Sequence, residues 1–331
     1  MTDLIKGKTI LVTGGTGTIG SKLVEELQKH SPAMIRVLSR DESKQHEMLE
    51  RLSYPENVRM LIGDIRDRDR LVRALQGVDI VFHAAAMKHV PFCEYNPFEA
   101  VKTNIMGSQN LIDAALQCGV KKVVAISTDK VANPVGVMGV SKLMMEKLIT
   151  GANYYQGETR TLFSCVRFGN VTWARGSVLS SWRQQAEKEN LIKVSNDEMT
   201  RFFMTQQEAV NLVLEAGRLM QGGEIFVFKM PAIKIRDLAD LFLAKYYPGQ
   251  QISIQPFPRR AGEKLHEELL SANDTEGKIL ENEKMFVIIP PIQIIGRKAK
   301  VPVYAEFQPA KIQGNYSSQD NLSPEKIKAI I

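Results

Sequence analysis

The residues able to do chemistry sit at the ends of short apolar runs. Thr13-Gly14-Gly15-Thr16-Gly17-Thr18-Ile19-Gly20 follows the first run and opens an amphipathic stretch. Glycines at 14, 17 and 20 permit a tight turn, a close backbone approach to a pyrophosphate and close packing of helix on strand. The free N–H groups of the helix start then face the phosphates. Gly14, Thr16, Gly17, Thr18, Ile19 and Gly20 are therefore candidate dinucleotide contacts. The second run ends in Ser39-Arg40. An acid there holds a ribose 2′-hydroxyl, whereas a guanidinium beside a hydroxyl suits a 2′-phosphate. NADP is the expected cofactor, with Asp41 on the ribose as the alternative. Asp64-Ile65 and Ala84-Ala85-Ala86 end the third and fourth runs. Their small residues leave room for the cofactor, and Asp64 either bonds the adenine amino group or caps a helix. After the fifth run come Ser127-Thr128-Asp129-Lys130, then Met138 and Lys142. Adjacent acid and amine can act as an acid–base pair where burial brings their pKa values toward neutrality. Otherwise they are a solvated loop pair.

These residues meet only if regular elements bring the loops together. The pattern predicts strands over 9–12, 35–38, 58–62, 79–82, 122–126 and 162–166. Between them it predicts helices over 19–28, 44–52, 67–75, 97–119 and 139–150, with Asp67 capping the third and Gly119 ending the fourth. Continuous apolar strands alternating with helices imply an α/β fold, a doubly wound parallel sheet of Rossmann type whose ligands bind beyond the carboxyl ends of the strands. The alternation is lost after about residue 170, where Pro231, Pro248, Pro256, Pro258, Pro290 and Pro291 interrupt it. A helix over 206–218 and a strand over 224–228 return to the main sheet. Residues 1–170, with 205–228, are thus read as the NADP-binding domain. Residues 171–204 and 229–331 are read as a smaller C-terminal substrate-capping region, with 314–323 as a mobile arm.

The glycine loop, the Ala84–Ala86 strand end and Lys142 four residues after position 138 resemble the extended short-chain dehydrogenase/reductases. That family places a Tyr where this chain has Met138, and Met can neither donate nor accept a proton. Asp129-Lys130 carries the resemblance further, together with Ala86-Met87-Lys88-His89-Val90-Pro91, Arg167-Phe168-Gly169-Asn170-Val171, Arg175-Gly176-Ser177-Val178 and Met199-Thr200-Arg201-Phe202. Over roughly residues 8 to 270 the chain is similar to the soluble UDP-N-acetylglucosamine 4,6-dehydratases of polysaccharide biosynthesis, some branches of which also carry Met for Tyr. The resemblance implies a redox-neutral loss of water: a ketone forms at C4, the acidified C5 proton leaves with the C6 hydroxyl, and hydride returns to C6. The product is a UDP-2-acetamido-2,6-dideoxy-4-hexulose.

By the same resemblance Lys130 is the C5 base, Asp129 the C6 acid, and Lys142 the holder of the nicotinamide ribose. Lys130 is expected to be lowered by burial and by Lys142, and Asp129 to be raised by burial. Thr128, helped electrostatically by Lys142, is expected to relay the C4 hydroxyl proton to Asp129, with a water relay as the alternative. Asn170, Arg175 and Arg201 are expected at the UDP end, Arg260 and Glu263 at the nucleotide, and Lys88 and His89 near the sugar. His83, ending a buried strand, reads as a satisfied core residue. Retention at C5 is the expected outcome, since the missing Tyr removes one proton donor; inversion is the alternative. The rivals are a UDP-sugar 4-epimerase, which needs no Asp129-Lys130 pair, and a non-catalytic NADP(H)-binding protein.

Composition agrees with such an enzyme. The 331 residues hold 43 Lys+Arg, 37 Asp+Glu and three Cys, with a formal charge of +6 and 44% hydrophobic residues. These are globular values, and the spread basic residues form no run suggesting a nucleic-acid tail. Cys93, Cys118 and Cys165 are scattered, which argues against a disulfide framework or zinc site and for a reducing compartment. The apolar stretch over 286–296 is too short for a membrane span and contains two prolines. A cytoplasmic homo-oligomer without metal, membrane or nucleic-acid partners is the expectation.

Overall fold

The computed structural model describes residues 2–155, 160–291, 302–312 and 314–331. Six strands alternate with helices in the first half: β1 (Thr9–Thr13), β2 (Met34–Ser39), β3 (Val58–Ile62), β4 (Ile80–His83), β5 (Lys122–Ile126) and β6 (Leu162–Arg167). Beyond them lie β7 (Asn170–Val171), β8 (Leu191–Val194), β9 (Thr200–Met204), β10 (Ile225–Phe228), β11 (Ala232–Lys234), β12 (Ser253–Pro256), β13 (Glu268–Leu270), β14 (Lys278–Glu281), β15 (Met285–Ile289), β16 (Gln308–Pro309) and β17 (Tyr316–Ser317). The main sheet runs β16-β14-β15-β10-β6-β5-β4-β1-β2-β3. From β3 to β10 all neighbours are parallel. Strand order reverses between β1 and β4, and there a crevice opens at the carboxyl ends of both.

Local chemistry sets the helix boundaries. Asp41 and Asp67 each cap a helix, accepting from the backbone N–H of Lys44 and Arg70. Gly119 ends another in the left-handed conformation that glycine adopts without strain. The stretch over 97–119 is not one regular helix. Pro97–Ala100 passes through a wider π-helical segment, Val101–Met106, into Gly107–Cys118. A short helix, Val90–Tyr95, with Pro91 in its first turn, was not foreseen in the loop after β4.

The largest departures from the sequence reading come late in the chain. β14, β15 and β16 extend the main sheet antiparallel beyond β10, so the sheet is mixed and part of 229–331 belongs to it. The buried apolar run of β15 earns its place by packing, while residues 292–296 of the apolar stretch lie outside the described residues. The segment 314–323 is no free arm. β17 pairs with β13, Tyr316 stacks on Phe202 with centroids 5.6 Å apart, and Ser318 Oγ lies 2.6 Å from Thr200 Oγ1. Leu179, Trp182, Phe203, Ile233, Phe242 and Ile327 build a second core, separate from that of the main sheet.

One buried ion cluster ties these parts together. Arg167, at the end of β6, is 1% exposed. Its Nη2 donates to Glu146 Oε1 at 2.5 Å, on the helix Val137–Gly151. Its Nη1 donates to Asp274 Oδ2 and to the Leu269 carbonyl, both at 2.9 Å. Removing one partner of a buried pair leaves a charge uncompensated, which costs about 3–5 kcal/mol. Glu146→Ala should therefore lower the urea midpoint by a corresponding amount with little change in slope. A midpoint within error of the parent would show that Arg167 is adequately held by Asp274 alone.

Candidate active site

The crevice is a cleft of about 1030 Å³, and it brings together every candidate position except Asp129. At one end lies the glycine loop. Gly14 has φ +64, and a Cβ there would stand 2.7 Å from the Ala85 backbone, so the turn presses on the end of β4. A Cβ on Gly20 would strike the Gly14 carbonyl, which keeps the helix Thr18–Gln28 tight on the turn. Gly17 is different: its φ is −75 and a Cβ would meet only Gly14 O at 3.1 Å. Its value is clearance on the cleft side, not an unusual dihedral. Thr16, Thr18, Ile19, Ile65 and Ala84–Ala86 line the same end. A bare backbone cradle at a helix N-terminus fits the pyrophosphate of a dinucleotide.

At the second strand's end Asp41 is occupied by its cap and by an ion pair with Lys44. Asp64 is taken by the Arg66 backbone and guanidinium, and Arg66 also pairs with Glu99. The helix cap is Asp67, so the capping alternative for Asp64 falls away. Arg40 is left exposed, 3.8 Å from Asp64, beside Ser39 on the cleft.

The reactive end forms at the close of β5. Thr128 Oγ1 donates to Asp129 Oδ1 at 2.9 Å, and Lys130 Nζ donates to the same oxygen at 3.0 Å. Thr128 and Lys130 line the cleft, whereas Asp129 is fully buried behind them. Among the described residues its Oδ2 has no hydrogen-bond partner. A residue that sequence reasoning missed completes the cluster: Glu267, 1% exposed, places Oε1 3.3 Å from Lys130 Nζ and 3.8 Å from Arg201 Nε. This overturns the expected charge state of Lys130. Burial lowers its pKa, but Asp129 and Glu267 outweigh burial and hold it above the ordinary amine value. Lys130 is an ammonium in a salt-bridged nest, not a poised free amine. No local pattern around Glu267 announces it, because its partners lie far back along the chain.

Lys142 behaves differently. Burial pulls its pKa down to about 8, and its Nζ donates to the Ile126 carbonyl at 2.5 Å. Met138 is buried against Cys93 and Ala100 and touches the cleft as an apolar wall. Asn104, in the π-helical segment, was also missed. Its amide bonds the backbone of Met87 in both directions and Ser141 Oγ at 3.0 Å. It thereby clamps the loop after β4 to the helix carrying Met138 and Lys142. Nothing in its immediate sequence, between Thr103 and Ile105, sets it apart from Asn110 in the same helical stretch. His83 is a core residue, bonded to Thr13 and Ser108, with burial driving its pKa down to about 3.

The far end of the cleft is basic. The Arg175 backbone is pinned between Thr18 Oγ1 at 3.0 Å and Lys88 Nζ at 2.9 Å, so Lys88 serves as a loop tie. Burial and then Arg175 lower the Lys88 pKa; burial and then Lys88 lower that of His89. His89 packs on Gly176, whose φ of +71 and missing Cβ allow the approach. Arg201 is buried and donates to the carbonyls of Thr200, Lys264 and Leu265, so its guanidinium is largely spent. Arg260 and Glu263 close a turn on each other at the rim, and Asn170 lines the cleft from β7.

Among the described residues no helix is long and apolar enough to cross a membrane. Residues 10–290 match the family described as polysaccharide biosynthesis protein. A relative from Methanocaldococcus jannaschii, named an uncharacterized membrane protein, is 46% identical over 336 residues, covering 100% of this chain and 97% of its own. A UDP-N-acetylglucosamine 4,6-dehydratase (inverting) of Campylobacter jejuni is 42% identical over 325 residues, covering 96% of this chain and 94% of its own. The crystal structure of Pen from Bacillus thuringiensis superposes with a TM-score of 0.92 at 40% identity, covering 99% of this chain and 98% of that one. The doubly wound sheet, the glycine cradle and these likenesses over nearly the whole length lead to one conclusion: the chain belongs to the UDP-N-acetylglucosamine 4,6-dehydratase family of polysaccharide biosynthesis proteins.

Proposed function

We propose that the protein is an NADP-dependent UDP-N-acetylglucosamine 4,6-dehydratase, a hydro-lyase forming UDP-2-acetamido-2,6-dideoxy-4-hexulose for glycan synthesis. The observation that carries this reading is the hydrogen-bonded chain Thr128–Asp129–Lys130, whose outer members line the same cleft as the glycine cradle. When bound, the nicotinamide supplies the acceptor and later the donor of hydride. Gly14–Gly20, Ser39, Arg40, Ala84–Ala86 and Lys142 would hold the dinucleotide, and the exposed Arg40 favours the 2′-phosphate, since Asp41 is already engaged.

The chain's own residues move the protons. Thr128 takes the C4 hydroxyl proton and passes it along its existing hydrogen bond to buried Asp129. Asp129 returns it through Thr128 to the departing C6 hydroxyl, and Lys130, once its resting proton has moved onto a facing carboxylate, takes and gives back the C5 proton. Lys142 adds positive charge beside the nicotinamide ribose, and Met138 shapes the wall. Arg175, Asn170, Arg260 and Glu263 stand where a UDP group would lie, with Lys88, His89 and Arg201 organising the loops around it. With Lys130 as the single C5 proton carrier, retention is the direct outcome. Inversion is the second reading, favoured by the name of the Campylobacter relative. The unpaired cysteines support a reducing, cytoplasmic setting. Exposed Phe92, Tyr95 and Phe98 on neighbouring helices support self-association.

Incubation with NADP⁺ and UDP-N-acetylglucosamine, followed by NMR of the product, tests the reading. A C6 methyl and C4 ketone support it, and the C5 coupling assigns the configuration; a C4 epimer alone means an epimerase. Asp129→Asn and Lys130→Ala should each lower turnover about 10²-fold or more with little change in NADP affinity, and near-normal turnover in either would remove its role. Arg40→Ala should weaken NADP roughly ten- to a hundredfold, the value of a charge-assisted phosphate contact, while NAD is little affected. Calorimetry showing equal losses for both would take Arg40 off the 2′-phosphate. Met138→Ala should retain most activity and Met138→Tyr should gain little, since a phenol in that apolar pocket lacks a partner. A large rise for the Tyr variant in steady-state kinetics would mean that the wall position still accepts the missing acid.

A further inference from the structure

The geometry points to Glu267 as the proton store of Lys130, a positioning residue that the dehydratase reading requires but does not contain. The argument rests on that reading and on proton balance. At the moment of elimination Asp129 must carry the C4 proton while Lys130 must be a free amine. Yet Lys130 rests as an ammonium, so its extra proton needs a destination other than Asp129. Glu267 Oε1 lies 3.3 Å from Lys130 Nζ, and Oε2 is buried without a hydrogen-bond partner among the described residues.

In the proposed step one N–H bond of Lys130 breaks and an O–H bond forms on Glu267. Lys130 is left neutral, with the lone pair that attacks the C5 proton. After C5 has been reprotonated by Lys130, Glu267 returns its proton and the resting charges are restored. No electrons are transferred and no proton is exchanged with solvent. The groups facing this pair are Asp129 and Arg201, with Lys264 lining the same small cavity. Asp129 and Glu267 against Lys130 and Arg201 make the nest formally neutral, so an internal proton shift creates no net buried charge.

Glu267 does not line the main cleft, and its backbone N–H is held by Ser318 Oγ at 2.9 Å. It therefore acts through Lys130 and not on the substrate. The C-terminal segment 314–323, anchored by β17, is what places it.

The test compares wild type, Glu267→Gln and Glu267→Asp. At neutral pH, Glu267→Gln should lose about 10²-fold in kcat with KM nearly unchanged, and should recover as pH rises and Lys130 releases its proton to solvent. Wild type should lack that rise, and Glu267→Asp should restore part of the neutral-pH rate. Independently of turnover, NMR titration of the Lys130 side chain should fall by about one pKa unit or more in Glu267→Gln, because one of two carboxylates is gone. An unmoved Lys130 titration, or a pH–rate profile of unchanged shape, would overturn the proton store alone. Wild-type protein that makes no C6-deoxygenated product would instead overturn the dehydratase reading, and the Lys130 titration would still report whether the pair exists.

Discussion

The fold depends on one buried cation. Arg167 ends β6 at the carboxyl edge of the sheet, where three separate stretches of chain must meet. It grips Glu146 on the helix that carries Met138 and Lys142, and it grips Asp274 and the Leu269 carbonyl on the stretch that carries Glu267. A buried ion cluster of this kind is weak evidence for stability relative to an apolar packing, but it is directional. An aliphatic side chain would fill the space without specifying which carboxylate sits where. Here the guanidinium fork ties together the end of β6, the helix Val137–Gly151 and the β13 segment that carries Glu267.

The two ends of the cleft solve different electrostatic problems. The dinucleotide end is made of backbone: small residues, a helix N-terminus and an exposed guanidinium that can meet a phosphate without prior desolvation. The reactive end is made of buried side chains whose charges cancel among themselves. Burial at that end makes every proton shift sensitive to its neighbours. Lys142 and Lys130 illustrate this. Lys142 is buried and Lys130 is half-buried at the cleft on an adjoining element; burial wins at Lys142, near 8, and the facing carboxylates win at Lys130. Neighbours and not residue type decide which lysine stays charged.

Much of this was legible in the sequence because its determinants are local. The glycine loop needs only consecutive residues at one strand–helix junction, and the apolar runs that make β1 to β6 are continuous. Asp129 and Lys130 are adjacent, so no folding is needed to see that an acid and an amine stand side by side. The late hairpin β14–β15 was also readable in principle: Asn282 Oδ1 accepts from the N–H groups of Lys284 and Met285, turning the chain between two apolar runs. It was missed because prolines nearby suggested a break in the sheet.

By itself the sequence determined the class of sheet, the glycine-rich turn fit to cradle a dinucleotide, and the adjacent acid and amine at the end of β5. Those follow from hydrophobic periodicity, glycine geometry and side-chain chemistry over short spans. Only the tertiary structure decided that Glu267 stands against Lys130, that Asn104 clamps the loop after β4, and that the C-terminal segment is anchored. Each of these depends on residues far apart in the chain, brought within hydrogen-bond distance by packing. Charge states follow the same rule: the expected free amine became an ammonium because a carboxylate from another part of the chain arrived beside it.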